Sequence, residues 1–497
     1  MRAAVLILLL LFLAMAAAGF FHVRRPLPKG LDFRGPARVP APGGVTFLAD
    51  VTGARENESG RWIRHEIFDE VIRRIDAADA FVVADFFLVN EFAGGPPEGA
   101  PGGPSLSRRL VDALAAAKRR RPAMPVILIT DPLNTLYGAV RQPFFEELRS
   151  LEVEVVPADL RRLRDSNMIF SPFWRVFFSW WGDPRGDAFP NPIGEGRIGL
   201  AAMLELLNFK ANHRKTLVTG MADGSIHGLV TSGNPHSASV LHGNVALAFD
   251  GALAADLLRT EEAVYRYSTG SGFPEPVARF LDREEAAPAA DGRRLAGRVL
   301  TERAIKRELL DRIDRLDSGD EADLALFYFS DIRLRNALAG AAGRGARVRL
   351  LMDPNKDAFG RRKNGIPNRQ VGAWLAARSV EVRWYRTQGE QFHTKMALFR
   401  FAGSRATLAL GSANWTRRNL NNLNLETNVS VSGPADDPVF AEASEYFSLV
   451  WSNAYRRGLG DIPSGLRTSL PFEAFRDDSR LRRVIYWLME RTGAGTF

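Results

Sequence analysis

A chain of 497 residues, 46% hydrophobic and 25% charged, is long enough for two or three domains with their own cores. That composition excludes a disordered chain and a polytopic membrane protein. The absence of cysteine excludes disulfides, thiolate metal sites and a cysteine nucleophile, while a formal charge of +9 favours phosphate-bearing partners, either anionic lipid or nucleic acid.

Residues 3–21 form an unbroken apolar run behind Arg2, so 1–21 is expected to be a signal peptide or a membrane anchor. Ala16, Ala17, Ala18 and Gly19 offer a cleavage site, and His22, Arg24, Arg25 and Lys29 follow the run. Residues 22–45, rich in Pro, Gly and Arg, read as a linker. A first domain is expected over 46–271. Ile67, Val71, Ile72 and Ile75 recur at helical spacing, and a buried strand follows at 81–87. A Gly/Pro-rich loop (94–104), a helix (106–121) and a strand (126–130) lead to Asp131-Pro132.

An insertion near 158–208 sets this half apart. Between 168 and 181 it carries Phe170, Phe173, Trp174, Phe177, Phe178, Trp180 and Trp181, with Arg175 as the single charge. Such a segment, helical from Pro172, suits a membrane interface or, alternatively, an inserted core helix or lid. After a linker at 272–295, a second domain over 296–456 plays the same elements. Ile305, Leu309, Leu310 and Ile313 mark a helix, followed by a strand (324–329), a helix (334–342), a strand (348–352) and Asp353-Pro354. In the tail, 457–497, a helix near 481–491 is expected to pack on the body, with 493–497 frayed.

The halves also share a chemical pattern. His213-Arg214-Lys215 precedes Ser232-Gly233-Asn234, and His393-Thr394-Lys395 precedes Ser412-Ala413-Asn414, with 21 residues from His to Asn in each. A His two residues from a Lys on a strand puts both on one face, where both reach one phosphate. A hairpin returns the Asn beside them. The pattern lacks carboxylates at ligand spacing, so metal-free chemistry is expected. One imidazole attacks phosphorus and the other protonates the leaving oxygen, while Lys215, Lys395, Asn234 and Asn414 hold the phosphoryl oxygens. Glu426 is placed to orient a nucleophilic imidazole.

These residues resemble the HKD half-motifs of the phospholipase D superfamily, over most of residues 46–456. The resemblance implies two similar α/β domains from a duplication, each a mixed sheet flanked by helices, with the active site at their interface. It further implies a phosphohistidine intermediate and no cofactor, with His213 as nucleophile and His393 as general acid, the two roles being exchangeable. Ser232 and Ser412 are expected at the substrate. The chain departs from the pattern where the family has Asp, at Gly220 and Arg400. Aligning Asn244-Val245 with Asn428-Val429 also puts His242, a candidate for tuning the acid, opposite Glu426.

The expected function is a phospholipase D-type phosphodiesterase or phosphatidyltransferase acting on glycerophospholipids at a membrane. A nucleic-acid phosphodiesterase of the same superfamily and a catalytically impaired membrane-binding scaffold are the alternatives.

Overall fold

Strand Val126–Thr130 (VILIT) is buried at every position between two parallel neighbours, which is why it reads as a continuous apolar run rather than an alternating one. In the computed structural model, residues 2–55, 61–92, 100, 102–180, 182–192, 194–281, 294–358, 361–452 and 466–495 are described. The first half builds β1 (Val45–Arg55), β2 (Arg61–Arg64), β3 (Phe81–Phe86), β4 (Val126–Thr130), β5 (Glu154–Pro157), β6 (Lys215–Gly220), β7 (Ile226–Thr231) and β8 (Asn244–Asp250). They assemble in the order β2-β1-β8-β7-β6-β3-β4-β5, and Leu466–Arg467 of the tail adds a ninth strand on β1.

The second half builds β9 (Ala296–Thr301), β10 (Glu321–Leu326), β11 (Arg347–Met352), β12 (Glu381–Tyr385), β13 (Lys395–Phe401), β14 (Arg405–Gly411), β15 (Thr427–Pro434) and β16 (Ser469–Pro471). Their order, β9-β15-β14-β13-β10-β11-β12-β16, repeats the first sheet strand for strand apart from one edge strand each. Both sheets are mixed. β3-β4-β5 and β10-β11-β12 are parallel, and the remaining pairs are antiparallel.

Helices Ile67–Ala77, Leu106–Arg120 and Pro143–Ser150 cover the outer face of the first sheet, and Arg303–Asp314, Ile332–Gly343 and Asn368–Ala376 cover that of the second. Between the sheets lies a shared core, where Val245 and Leu247 of β8 join Leu398 and Leu410 of β13 and β14. Two parallel bridges, Asn212 to Leu425 and Gly243 to Phe392, tie the halves together beside the site.

Several expectations are refined. Residues 33–38, read as linker, run along β9 through bridges from Arg34 to Leu300 and Arg38 to Gly297. β9 is a sheet edge that this segment covers, and ion pairs from Arg34 to Glu308 and Arg38 to Asp256, both 2.8 Å, fix it there. The strand expected at 324–329 ends at Leu326, and Phe327 turns towards the site.

Helix α1 (Arg2–Arg24) has a mean hydropathy of 2.8 in its apolar window and no buried residue, so it is long and apolar enough to cross a bilayer. Helix α2 (Phe170–Phe177) of the insertion packs on it, with Pro172 Cγ 3.0 Å from where a Cβ on Gly19 would stand. Trp174 is buried, while Phe173 and Trp180 are exposed, so the insertion combines a core face with an apolar surface. The tail helix α3 (Arg480–Thr492) docks on the second half through Tyr486, as expected, whereas Gly493 and Gly495, expected to fray, are buried and accept from Arg418. Most of the 94–104 loop, Trp181, the acidic end of the 272–295 connection, the boundary near 456 and the last two residues lie outside the described residues.

Candidate active site

The site lies where the two halves meet, in a cavity of about 880 Å³ lined by His213, Asn234, His393 and Asn414 among others. Each HxK segment enters β6 or β13 in the same register. Lys215 pairs with Phe86 across to β3, and Lys395 pairs with Leu326 across to β10.

The histidines are set by the residues before them. Asp131 Oδ2 accepts the backbone N–H of Asn212 at 2.7 Å, and Asp353 Oδ2 accepts that of Phe392 at 2.8 Å. Their other oxygens accept the N–H groups of Leu133 (2.7 Å) and Asn355 (2.6 Å). Burial pushes both carboxyls up to about 7 against these four hydrogen bonds. The repeated Asp-Pro dipeptide marks both positions in the sequence, though only the fold gives it this role. Phe87 and Phe327 were also missed. They follow β3 and β10 and set their rings 4.9 and 4.8 Å from the imidazoles of His213 and His393.

Glu426 orients His213 across the interface, its Oε1 2.8 Å from Nδ1. The same carboxylate accepts from Ser412 Oγ and Asn419 Nδ2, and the Ser412 oxygen accepts the N–H of Thr427 at 3.0 Å. In the first half, Ser232 Oγ donates to Asn244 Oδ1 at 3.1 Å and accepts the N–H of Val245 at 3.0 Å. Asn244 Oδ1 lies 3.2 Å from Nδ1 of His393.

Two expectations are thereby corrected. Asn244, not His242, stands where the second half has Glu426, because the chain from serine to orienting residue is two residues shorter in the first half. His242 still lines the cavity, its ring 5.9 Å from that of His393. Ser232 and Ser412 are fully buried and hold the orienting residues, not the substrate.

The departures at the family's Asp positions are structural. A Cβ on Gly220 would stand 2.2 Å from Cε1 of the buried Phe81. Arg400 pairs with Glu321 and Asp323 at the far end of β13. The middle residue of the first HxK, Arg214, is wholly buried and joins the halves, with Nη2 2.8 Å from Glu302 Oε1. Glu302 Oε1 also accepts the N–H of Glu426 at 3.2 Å.

Burial lowers His213 to about 4, opposed by Glu426, and lowers His393 well below the usual imidazole range. With Glu426 accepting from Nδ1–H, His213 presents the Nε2 lone pair. Burial also brings Lys215 down to about 7 and Lys395 well below the ordinary ammonium value. Each Nζ donates to the carbonyl of its own histidine, at 2.7 and 2.6 Å, which leaves donors for a phosphate. The Oδ1 atoms of Asn234 and Asn414 are buried without a partner among the described residues.

The cavity walls add Lys210, Arg362, Lys363 and Arg418 and, among the described residues, no carboxylate. Asp165 neutralises Lys210 at 2.6 Å. Among the described residues, Arg418 donates to backbone acceptors alone, the carbonyls of Gly493 (2.9 Å) and Gly495 (2.5 Å).

A family model described as cardiolipin synthase, PLD-like domain, matches residues 311–451. That match falls in the second half of the chain and supports a phospholipase D superfamily protein. Among solved structures, a phosphatidylserine synthase from Haemophilus influenzae Rd KW20 matches this chain with a TM-score of 0.54 at 10% identity. That match covers 92% of this chain and 94% of the other, and the likeness is one of fold. A phospholipase D family member from Salmonella typhimurium, Nuc, matches at 18% identity and a TM-score of 0.25, over 31% of this chain and 92% of its own. Yeast tyrosyl-DNA phosphodiesterase matches at 8% identity and a TM-score of 0.38, over 79% and 90%. Both are too distant for comparison in detail. No curated protein matches the chain.

Proposed function

We propose that this chain is a membrane-associated phosphodiesterase or phosphatidyltransferase that acts on glycerophospholipids through a phosphohistidine on His213. One observation carries lipid over nucleic acid. The insertion that walls the cavity with Pro192 and Leu206 is the insertion whose helix α2 packs on α1. An apolar wall that continues onto a candidate membrane span suits a substrate half in lipid. The matched family is described as cardiolipin synthase, and the solved neighbour of similar fold is a phosphatidylserine synthase.

Unequal partners support different roles for the two histidines. Attack by His213 Nε2 on phosphorus makes a positively charged phosphoimidazole, which the Glu426 carboxylate stabilises. His393 must give its Nε2 proton to the departing alcohol oxygen as the P–O bond breaks, and the neutral Asn244, accepting at Nδ1, supports the protonated ring without the pull of a full charge. Water or an alcohol then attacks phosphorus, its proton passes to His393, and the P–N bond to His213 breaks. Lys215, Lys395, Asn234 and Asn414 would hold the phosphoryl oxygens throughout. A cation-lined wall further favours uncharged or anionic headgroups over choline.

The same wall supports a second reading, cleavage of nucleic acid. Turnover of phosphatidylglycerol, phosphatidylcholine and single-stranded DNA by wild type, His213→Ala and His393→Ala separates the two. Phosphatidylglycerol turnover with an acid-labile phosphoenzyme, lost in His213→Ala, is expected. DNA cleavage alone, falling steeply with salt, would replace lipid by nucleic acid. The Ser–orienting residue–His arrangement is complete in both halves, which weighs against an impaired scaffold. Wild type that binds vesicles and turns over none of the three would restore that reading.

A further inference from the structure

Helix α3 presents an apolar face that the function above does not use. Ser479 caps its start by accepting the N–H of Arg482, and Gly493, at φ +71, ends it. One side is committed to the second half. Tyr486 Oη donates to the carbonyl of Ser330 at 2.8 Å, Glu490 accepts from Ser330 Oγ at 2.6 Å, and Ile485 and Met489 pack on the core. The other side carries Leu481, Val484, Trp487 and Leu488, exposed by 69, 54, 48 and 47%. Positions 481, 484 and 488 form one stripe along the helix, with Trp487 at its margin. Basic residues bracket the stripe. Arg480 and Arg491 stand at its ends, the latter 4.9 Å over the Trp487 ring, and Arg483 is exposed on its flank.

The position of α3 points to what covers this face. The carbonyl of Thr492, in its last turn, accepts the N–H of Met168 at 2.9 Å. Three residues earlier, the N–H of Asp165 donates to the carbonyl of His22, in the last turn of α1, at 3.1 Å. Three residues of chain reach about 11 Å at most, so one short segment holds the final turns of both helices. Met168 and Ile169, at the α3 end of that segment, are exposed, as is Phe173 on α2. Exposed apolar side chains therefore lie on the candidate membrane span, on the insertion and on α3, whose near ends this segment joins.

We propose that α3 is a second membrane contact, lying in the headgroup layer of a bilayer that contains anionic lipid, with its stripe at the acyl boundary and its arginines on phosphates. Hydrophobic residues on one side, a Trp at the margin and flanking Arg are what such a helix requires. The inference rests on α1 residing in the membrane.

The cysteine-free chain allows a direct test with single cysteines carrying an environment-sensitive fluorophore. Leu9→Cys in α1, Val484→Cys and Leu488→Cys in α3, and Arg119→Cys on the outer helix of the first half are compared. The full chain is placed in phosphatidylcholine–phosphatidylglycerol vesicles. Labels at 484 and 488 are expected to shift to the blue and to be quenched by spin-labelled lipid several-fold more than the label at 119. Weakening of this quenching in pure phosphatidylcholine is expected of the arginine contacts.

Lipid quenching at 9 with none at 484 or 488 overturns the proposal and leaves α1 in the membrane. No quenching at any position removes the membrane reading as well. Labels at 484 and 488 shielded from iodide only at high protein concentration, without lipid quenching, would mean that a second copy covers the face, which also overturns it.

Discussion

In the first half Nδ1 of His213 meets a carboxylate, Glu426, and in the second half Nδ1 of His393 meets an amide, Asn244. Serine, backbone and aromatic partners are the same around both. Two halves of like topology thus keep the geometry of both histidines and change the charge behind each. Charge behind a nucleophile stabilises the covalent adduct, and its absence behind an acid favours release of the proton. The strongest way to break the comparison is to remove each histidine. Loss of His213 should abolish the phosphoenzyme and lower kcat by about 10⁶-fold, the scale for a nucleophile that works as a unit with its partners. His393→Ala should cost about 10²–10⁴-fold on lipids. That cost should nearly vanish on a nitrophenyl phosphodiester, whose leaving group needs no proton. Equal losses on both substrates would mean that the roles are exchanged or shared.

Making the halves alike is the next test. Glu426→Gln puts an amide behind both histidines and should lower kcat by about 10²–10³-fold, as for loss of one preorganised electrostatic contact. Asn244→Asp puts a carboxylate behind both. It should raise His393 from its lowered position, so that the acid keeps its proton to higher pH and the alkaline limb of the kcat profile moves upward. An unchanged profile would show that Asn244 does not govern the acid.

Smaller effects, on stability, are expected where the halves carry unrelated residues in equivalent places. Gly220→Asp would drive a side chain into the Phe81 ring and should cost about 3 kcal/mol or more by overpacking. Arg400→Asp would set a third carboxylate beside Glu321 and Asp323, at a cost of about 3 kcal/mol. Thermal unfolding should show both variants less stable than wild type, and neither should gain activity. A gain in either would return these positions to the chemistry.

Much of the scaffold is legible because buried parallel strands such as 126–130 announce themselves as apolar runs, and because HxK with an Asn 21 residues on recurs in each half. Glu426 is legible as a carboxylate close behind the second of these motifs. Asn244 is not, since the match of Asn244-Val245 to Asn428-Val429 is closer in letters than the true one. The serine's bracket on the orienting side chain and the next backbone N–H decides the register, and that bond is invisible in sequence. Arg214 reads as a spacer between His and Lys, yet its burial against Glu302 joins the halves. The stripe on α3 reads as an ordinary packing face until the fold shows that the body takes the opposite side.

The finest test concerns what the halves share. Asp131 and Asp353 each fix the backbone ahead of a histidine, and burial raises both to about 7. Between about pH 4 and 7 each therefore holds a proton in the folded state that the unfolded chain has lost. Their contribution to stability is full below the unfolded carboxylate value and falls as pH rises through that window, by at most about 1.4 kcal/mol per pH unit each. The lowered His213 acts in the opposite sense between about pH 4 and 6.5, adding stability as pH rises, so the wild-type curve mixes both. The difference between wild type and Asp131→Asn or Asp353→Asn isolates the carboxyl. Each variant should lose stability at pH 4.5, where Asn offers one acceptor oxygen and an intrusive Nδ2, and the deficit should shrink towards pH 7.5. Denaturant unfolding at four pH values measures it. A deficit that grows with pH would mean that the folded carboxylates are ionised, and that their four backbone hydrogen bonds outweigh burial in both halves.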